Sequence, residues 1–256
     1  MTVRTHVRAA RERVGDERAA VAAKRDALDT FREEVRSMEP AGRGVARAAA
    51  GPVVDGSTGT GRERCSAVRT AFAETVAPHS GEADEGLLET MDAELGEQLA
   101  LAVAPSTPTA FTPGVRDRLV STIVARRREL SVTLRALDGE ADSLDRTRDT
   151  LGEVTDWLAT ADETPLSALG FEELAARHRT LGTHREACAD LARRRQAHLD
   201  GTTSAGASVG LTHRDLVAYL YQSLSVDYPV LTTVARLVEV LECCRRAVRD
   251  HLVRRV

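Results

Sequence analysis

Apolar residues recur every seven positions through the middle of this 256-residue chain. Without an intervening proline, the series runs through Ile123, Leu130, Leu137, Leu144, Leu151 and Leu158. Seven residues make close to two turns of α-helix, so these side chains form one stripe that must be buried against other helices. The row predicts a single long helix from Pro113 to about Ala161, with Thr112 as its N-cap and Pro113 in its first turn.

Other segments of the chain carry matching apolar seams. Residues 2–38 read as one helix on a second heptad series, Val7, Val14, Val21, Leu28 and Val35. A helix from about 171 to 200 has an inner face of Leu174, Leu181, Cys188, Leu191 and Leu199. The last helix begins at Pro229, and its seam consists of Val230, Val234, Leu237, Leu241, Cys244, Val248 and His251.

The connections between these segments predict how the helices are arranged. Only about ten residues, with Thr164 and Pro165 as a cap and first-turn pair, separate the long helix from the helix at 171–200, so the two form an antiparallel hairpin. Shorter helices are expected at 61–77, at about 85–103 and after Thr212, an N-cap. Segments rich in Gly at 41–61 and 201–210 read as flexible connections, including the GSTGTG stretch at 56–61.

Composition agrees with a fold made of helices. Aromatic residues make up only 3% of the chain, whereas Ala, Leu, Arg and Glu dominate in helical spacing. We therefore predict an all-α fold, an elongated antiparallel helical bundle with a coiled-coil-like hairpin. The predicted domains are a long-helix bundle of residues 1–40 and 113–200, a small helical pair at 58–104 inserted between them, and a C-terminal helical segment at 208–256 that packs on the bundle.

The charged residues and cysteines indicate the source genome and the cellular compartment of the protein. Of the 35 basic residues only Lys24 is lysine, which suggests a GC-rich genome, and the formal net charge of -4 does not favour a dedicated nucleic-acid binder. The four cysteines are too irregularly spaced for a disulfide scaffold. The N-terminal sequence lacks the apolar core of a signal peptide, and no run reaches the ~20 apolar residues that a membrane span needs. We expect a cytoplasmic protein with reduced thiols and no membrane segment.

Arginine clusters are the first candidate sites. One stripe, with a period of seven, flanks the first seam and consists of Arg4, Arg11, Arg18, Arg25 and Arg32. It could grip an anionic surface, but interleaved acids favour salt bridges between helices. A second basic zone would form if residues 126–128 approach residues 193–195 across the hairpin, both being Arg triplets. Asp138 and Glu140 lie close enough to neutralise it, so a solvated face is the preferred interpretation.

Two further patterns have a structural and a functional interpretation. His184 and Cys188, four residues apart on one helix, could ligate zinc, but Cys188 falls on the apolar face and a buried thiol is preferred. The segment from Thr212 to Leu241 has the outline of a DNA-binding helix-turn-helix. Its second helix is mainly apolar, with Arg236 as the base in its first half, so packing is the preferred explanation. No catalytic, cofactor-binding or metal-binding residue is predicted.

Three segments resemble an uncharacterised family of haloarchaeal all-helical proteins: VTDWLATADETPLSALGFEELAARH at 154–178, DYPVLTTVARL at 227–237 and CRRAVRDHLVRRV at 244–256. The similarity covers nearly the whole chain and fits the almost exclusive use of Arg. It implies a haloarchaeal cytoplasm and no assigned activity, ligand or catalytic residue.

The sequence therefore favours a non-enzymatic interaction or scaffold protein. Its helical faces would bind another protein or a second copy of the chain, although the partners of the long seam are mostly within the chain itself. The alternative is a nucleic-acid-binding regulator that uses the helix-turn-helix-like segment or the Arg-rich hairpin. An enzyme is the third hypothesis, and no cofactor is expected.

Overall fold

The computed structural model describes residues 6–40, 57–80, 85–107, 110–201 and 212–254, and of residues 57–60 the backbone only. These ranges contain no β-strand. They hold two short 3₁₀ turns, Ala77–His79 and Leu166–Ala168, and eight α-helices: α1 (Val7–Ser37), α2 (Ser57–Thr75), α3 (Leu87–Leu95), α4 (Glu97–Val103), α5 (Pro113–Asp162), α6 (Phe171–Asp200), α7 (His213–Tyr221) and α8 (Pro229–Val253). The predicted all-α helical bundle is confirmed.

Several helix ends lie where the sequence signals place them. Helix α5 follows Thr112, whose Oγ1 accepts a hydrogen bond from the backbone N–H of Val115 at 3.3 Å. Helix α7 follows Thr212, whose side chain accepts from the N–H of Asp215 at 3.2 Å, and the Asp215 carboxylate accepts from the N–H of Thr212 at 3.0 Å. These reciprocal bonds satisfy backbone donors that have no partner inside the helix.

Other helix ends differ from the predictions. The helix expected at about 85–103 is broken at Gly96, whose φ of 88° lies in a region that side chains rarely adopt, so α3 and α4 are separate. Helix α2 begins at Ser57, within the stretch expected to be a connection, and most of the predicted flexible segments, 41–56 and 202–211, lie outside the described residues. The cap of α6 is Gly170, whose N–H donates to Glu173 at 2.7 Å, so the Thr164–Pro165 pair does not cap this helix.

The chain divides into two compact units, and α1 and α5 each contribute residues to both. Unit 1 comprises residues 1–18 and 135–256, and unit 2 comprises residues 19–134. The predicted division at 1–40 with 113–200, 58–104 and 208–256 remains a prediction. None of the described helices has the length and hydropathy needed to cross a membrane.

Unit 2 has an aromatic and aliphatic core. Phe31 of α1 and Phe72 of α2 are fully buried and meet edge to face, with ring centroids 5.4 Å apart. Glu94 of α3 is also buried, and its carboxylate pairs with Lys24 and with Arg126, whose Nε lies 3.2 Å away. The lone lysine of the chain thus has a structural role in this unit.

Unit 1 is built on the predicted seams. The α6 face predicted to be internal is buried at every position, from Leu174 to Leu199. Helices α6 and α8 pack against each other, and α5 and α6 form the expected hairpin, with Arg195 of α6 beside Glu140 of α5 and His184 beside Trp157. The α8 seam is buried at five positions, Val230, Val234, Leu237, Leu241 and Val248.

Candidate functional site

An open apolar groove lies where the α5–α6 hairpin turns and meets α8. Its volume is about 290 Å³, and we refer to it as the hairpin groove. Leu181 and Val248 are buried at its floor, whereas the other apolar side chains are partly or fully exposed. The lining consists of Trp157, Leu158, Ala161, Asp162, Thr164, Pro165, Leu166, Arg177, Leu181, Val240, Cys244, Ala247 and Val248.

The groove contains the end of the central heptad row. Within unit 1, the row members Leu137, Leu144 and Leu151 are buried, with at most 3% of each residue exposed. Leu158, the next member, is only partly buried and lines the groove beside Trp157. The described part of the unit therefore covers the seam as far as Leu151 and leaves its last position accessible to another chain.

Two unpaired charges of opposite sign lie at the groove. Arg177 donates a hydrogen bond from Nη1 to the backbone oxygen of Thr164 at 3.2 Å and forms no ion pair with a described carboxylate. Glu163 is exposed, lies between two residues that line the groove, and is likewise free of ion pairs among the described residues. A partner surface that places a carboxylate near Arg177 and a basic side chain near Glu163 would neutralise both charges.

A separate buried polar cluster lies deeper in unit 1, around Glu140 of α5. The carboxylate is fully buried, and both of its oxygens accept from Arg195, at 2.8 Å from Nη1 and 2.7 Å from Nη2. The hydroxyl of Tyr221 donates to Oε1 at 2.5 Å, and His198 Nε2 lies 3.1 Å from Oε2. Because a carboxylate only accepts, the His198 ring donates there.

The protonation of this cluster follows from its contacts. Burial alone would raise the pKa of Glu140, but hydrogen bonds from His198, Arg195 and Tyr221, together with the charge of Arg195, lower the pKa to about 2. Burial and the charge of Glu140 raise the pKa of the Tyr221 hydroxyl. The cluster is thus an ionised Glu–Arg pair with a neutral Tyr donor at pH 7.

The buried cluster has the properties of a structural element. Both carboxylate oxygens are occupied by donors from the chain, and Arg195 Nη1 donates additionally to Ser143 Oγ at 3.2 Å. Each carboxylate oxygen thus has two donors from the chain, and the described contacts leave Glu140 no free acceptor position. We infer that it fixes the register of α5, α6 and α7, since a misaligned pair would leave a buried charge without a partner.

The sequence carries a signal for this cluster in the charged residues that fall at seam positions. Glu140 lies three residues after Leu137 of the heptad row, and Val154 lies three residues after Leu151 of the same row. Both Glu140 and Val154 are buried. Arg195 lies seven residues after Cys188, on the buried face of α6. Opposite charges at seam positions of two antiparallel helices predict a buried ion pair. The expectation that the triplet 193–195 forms a solvated face is therefore wrong for Arg195, which is 3% exposed.

The arginines that flank the first seam differ in whether they pair between helices or within α1. Arg11 and Arg18 pair across to α5, with Asp145 at 2.6 Å and with Asp138 at 2.5 Å, which confirms the interhelical salt-bridge interpretation for these two. Arg25 and Arg32 instead pair within α1, and Arg4 lies outside the described residues. The triplet at 126–128 belongs to unit 2, where two of its members pair with carboxylates of that unit.

The two remaining sequence patterns have their structural explanation. Cys188 is fully buried and its pKa is raised by burial, while His184 stacks near Trp157 with ring centroids 4.9 Å apart. The described residues contain no group of three or more His, Cys, Asp or Glu that could hold a metal ion. In α8, Val230 and Thr233 are buried and Arg236 contacts His6 at 2.9 Å, which supports packing rather than a base-reading helix.

These features define an all-α bundle protein with a solvent-accessible groove at the end of its central hairpin. A family model described as a domain of unknown function, DUF7260, matches residues 5–245. The chain therefore belongs to this family, in agreement with its resemblance to an uncharacterised one. No curated protein matches the chain, and neither does any solved structure.

Proposed function

We propose that this protein is a non-enzymatic helical interaction protein and that its partner at the hairpin groove is a second copy of the same chain. The proposal rests on Leu158, the one unit 1 member of the central heptad row that is left partly exposed. Covering Leu158, Trp157 and Leu166 would remove apolar surface from water, at about 25 cal/mol per Å².

The charges at the groove support a second copy as the occupant. In a two-fold symmetric dimer the same surface of each chain meets itself, so residue i contacts residue j and j contacts i. Arg177 and Glu163 are unpaired within the described residues and have opposite signs. In the proposed dimer, a two-fold axis through the groove would place Arg177 of each chain near Glu163 of the other, so that one patch is complementary to itself.

The cellular setting belongs to the same proposal. We assign the protein to the cytoplasm of a haloarchaeon. The support is the near absence of lysine, with Lys24 the single example, and the resemblance carried by residues 154–178, 227–237 and 244–256.

The test is the mass of the full-length protein in solution, measured by sedimentation velocity over a range of protein concentrations. We expect the mass to rise from that of one chain, 27.6 kDa, to twice that value. Leu158→Glu places a carboxylate in the groove and should keep the protein monomeric, because a charge buried without a partner costs several kcal/mol. Leu101→Glu is the matched control, since Leu101 is 55% exposed, belongs to unit 2 and does not line the groove.

Charge exchange tests the symmetry of the interface. Arg177→Glu should weaken the dimer, and the added change Glu163→Arg should restore it, because the double variant carries the same pair in reverse. Circular dichroism must show that each variant keeps its helical content. A monomer at every concentration, or a dimer unaffected by Leu158→Glu, would contradict the proposal.

A further inference from the structure

A small basic pocket lies between α6 and α8, apart from the hairpin groove. Its volume is about 200 Å³, and it is lined by His178 of α6 and by Glu242, Arg245, Arg246 and Arg249 of α8. It shares no lining residue with the groove, and its basic side chains occupy three positions within five residues of one helix. We refer to it as the basic pocket.

The three arginines of the basic pocket form no ion pair with a described carboxylate. Several arginines of the described residues pair with carboxylates, as Arg11 does with Asp145. Among the described residues, no carboxylate lies within ion-pair distance of Arg245, Arg246 or Arg249. The single acid of the pocket, Glu242, faces Arg185 at 3.8 Å. The pocket therefore concentrates positive charge that no described carboxylate neutralises through an ion pair with Arg245, Arg246 or Arg249.

One donor of the pocket is both buried and unused. The Nε atom of Arg245 is removed from solvent and has no hydrogen-bond partner. A buried N–H without an acceptor is unfavourable, and an anion bound in the pocket would supply the acceptor that Arg245 Nε lacks. The position of Arg245 is not explained by the attraction of basic side chains to the carboxyl end of a helix, because that attraction is confined to the last turn. Arg245 lies about two turns before Val253, the last residue of α8.

The histidine of the pocket responds to this excess charge. Burial, followed by the positive charges of Arg245 and Arg249, lowers the pKa of His178. The ring is thus neutral at pH 7 and offers one N–H donor. Both arginines therefore act on the same small space into which the His178 ring faces.

We propose that the basic pocket binds a tetrahedral oxyanion of the phosphate class, held by the guanidinium groups of Arg245 and Arg249. Planar guanidinium groups suit phosphate oxygens because two N–H groups of one side chain can bind two oxygens. The positive charge of three arginines disfavours a metal cation. An apolar ligand would cover these arginines without supplying a counter-charge. This inference is independent of the dimer proposed above.

Calorimetric titration of the full-length protein with inorganic phosphate, at constant ionic strength and pH 7.5, tests the site. Loss of one charge-assisted contact is worth about 1.5–3 kcal/mol, so Arg245→Gln and Arg249→Gln should each weaken binding roughly tenfold or more. Glu242→Gln should tighten it, since a repelling charge is removed. Arg179→Gln is the matched control, because Arg179 is an exposed α6 residue outside the pocket, and it should change binding less than twofold.

A second readout locates the anion and identifies its form. Saturation with phosphate or sulfate should shift the imidazole NMR signals of His178 and raise the His178 pKa, whereas chloride at equal ionic strength should not. Binding of phenyl phosphate as well as inorganic phosphate would show that the pocket accepts a phosphate group on a larger molecule; binding of inorganic phosphate alone would restrict it to the free ion. No binding at 10 mM phosphate, or an equal loss in Arg179→Gln and Arg245→Gln, would overturn the site.

Discussion

The buried Glu140–Arg195 pair gives the most quantitative prediction. Truncating one partner of a buried ion pair leaves the other charge uncompensated and costs about 3–5 kcal/mol. Arg195→Met leaves the Glu140 carboxylate buried with only Tyr221 and His198 as donors. Glu140→Gln conversely leaves the guanidinium without its counter-charge. We expect each single change to lower the free energy of unfolding of unit 1 by about 3–5 kcal/mol.

The double variant, Glu140→Gln with Arg195→Met, distinguishes a coupled pair from two independent contributions. Because it removes both charges, its cost should be well below the sum of the single costs, with a coupling energy of about 2 kcal/mol or more. Arg193→Met is the control, since Arg193 is an exposed α6 residue, and it should change stability by no more than about 0.5 kcal/mol.

Urea unfolding followed by Trp157 fluorescence is the appropriate assay. Trp157 is the only tryptophan of the chain and belongs to unit 1, so its emission reports the unfolding of the unit that holds the pair. Single changes that each cost under 1 kcal/mol and add without coupling would refute the assignment of a buried, ionised pair.

Three further predictions concern acid stability, a backbone position and the thiols. Because folding lowers the pKa of Glu140 from 4.5 to about 2, its contribution of about 3 kcal/mol is present above pH 4.5 and lost as the pH falls to 2; Glu140→Gln should remove this step in urea titrations at successive pH values. Gly96→Ala should destabilise the protein by about 1–3 kcal/mol in thermal unfolding, because φ at this position is 88°. In the native protein a thiol reagent should modify exposed Cys243 before Cys65 and Cys188, whose burial also raises their pKa; equal rates would contradict this order.

Sequence periodicity predicts the helices well because burial and helical spacing act together along the whole chain. The heptad row and the Thr112–Pro113 signal place α5 at Pro113–Asp162, one residue beyond the predicted end at Ala161. The break at Gly96 is harder to predict, since glycine is tolerated inside helices and only the observed φ shows that the helix ends there.

Tertiary features were predictable to different extents. The Glu140–Arg195 pair could be found from seam positions alone once charged residues at those positions are considered. The hairpin groove could not, because Leu158 continues the same row as buried Leu151, and only the packing of α8 decides which of them is covered. The basic pocket likewise depends on His178 facing α8 across a helix contact that the spacing does not specify.

Fluorescence of Trp157 as a function of protein concentration tests the proposed dimer most directly, because this single tryptophan lies in the hairpin groove. The measurement is made at constant pH, since His184 lies beside the indole. Over the concentration range in which the sedimentation mass doubles, the emission should shift to shorter wavelength and quenching by acrylamide should decrease, as the indole leaves water. A mass that doubles while emission and quenching stay constant would place the interface elsewhere, and a mass that never doubles would exclude the dimer; either result would contradict the account.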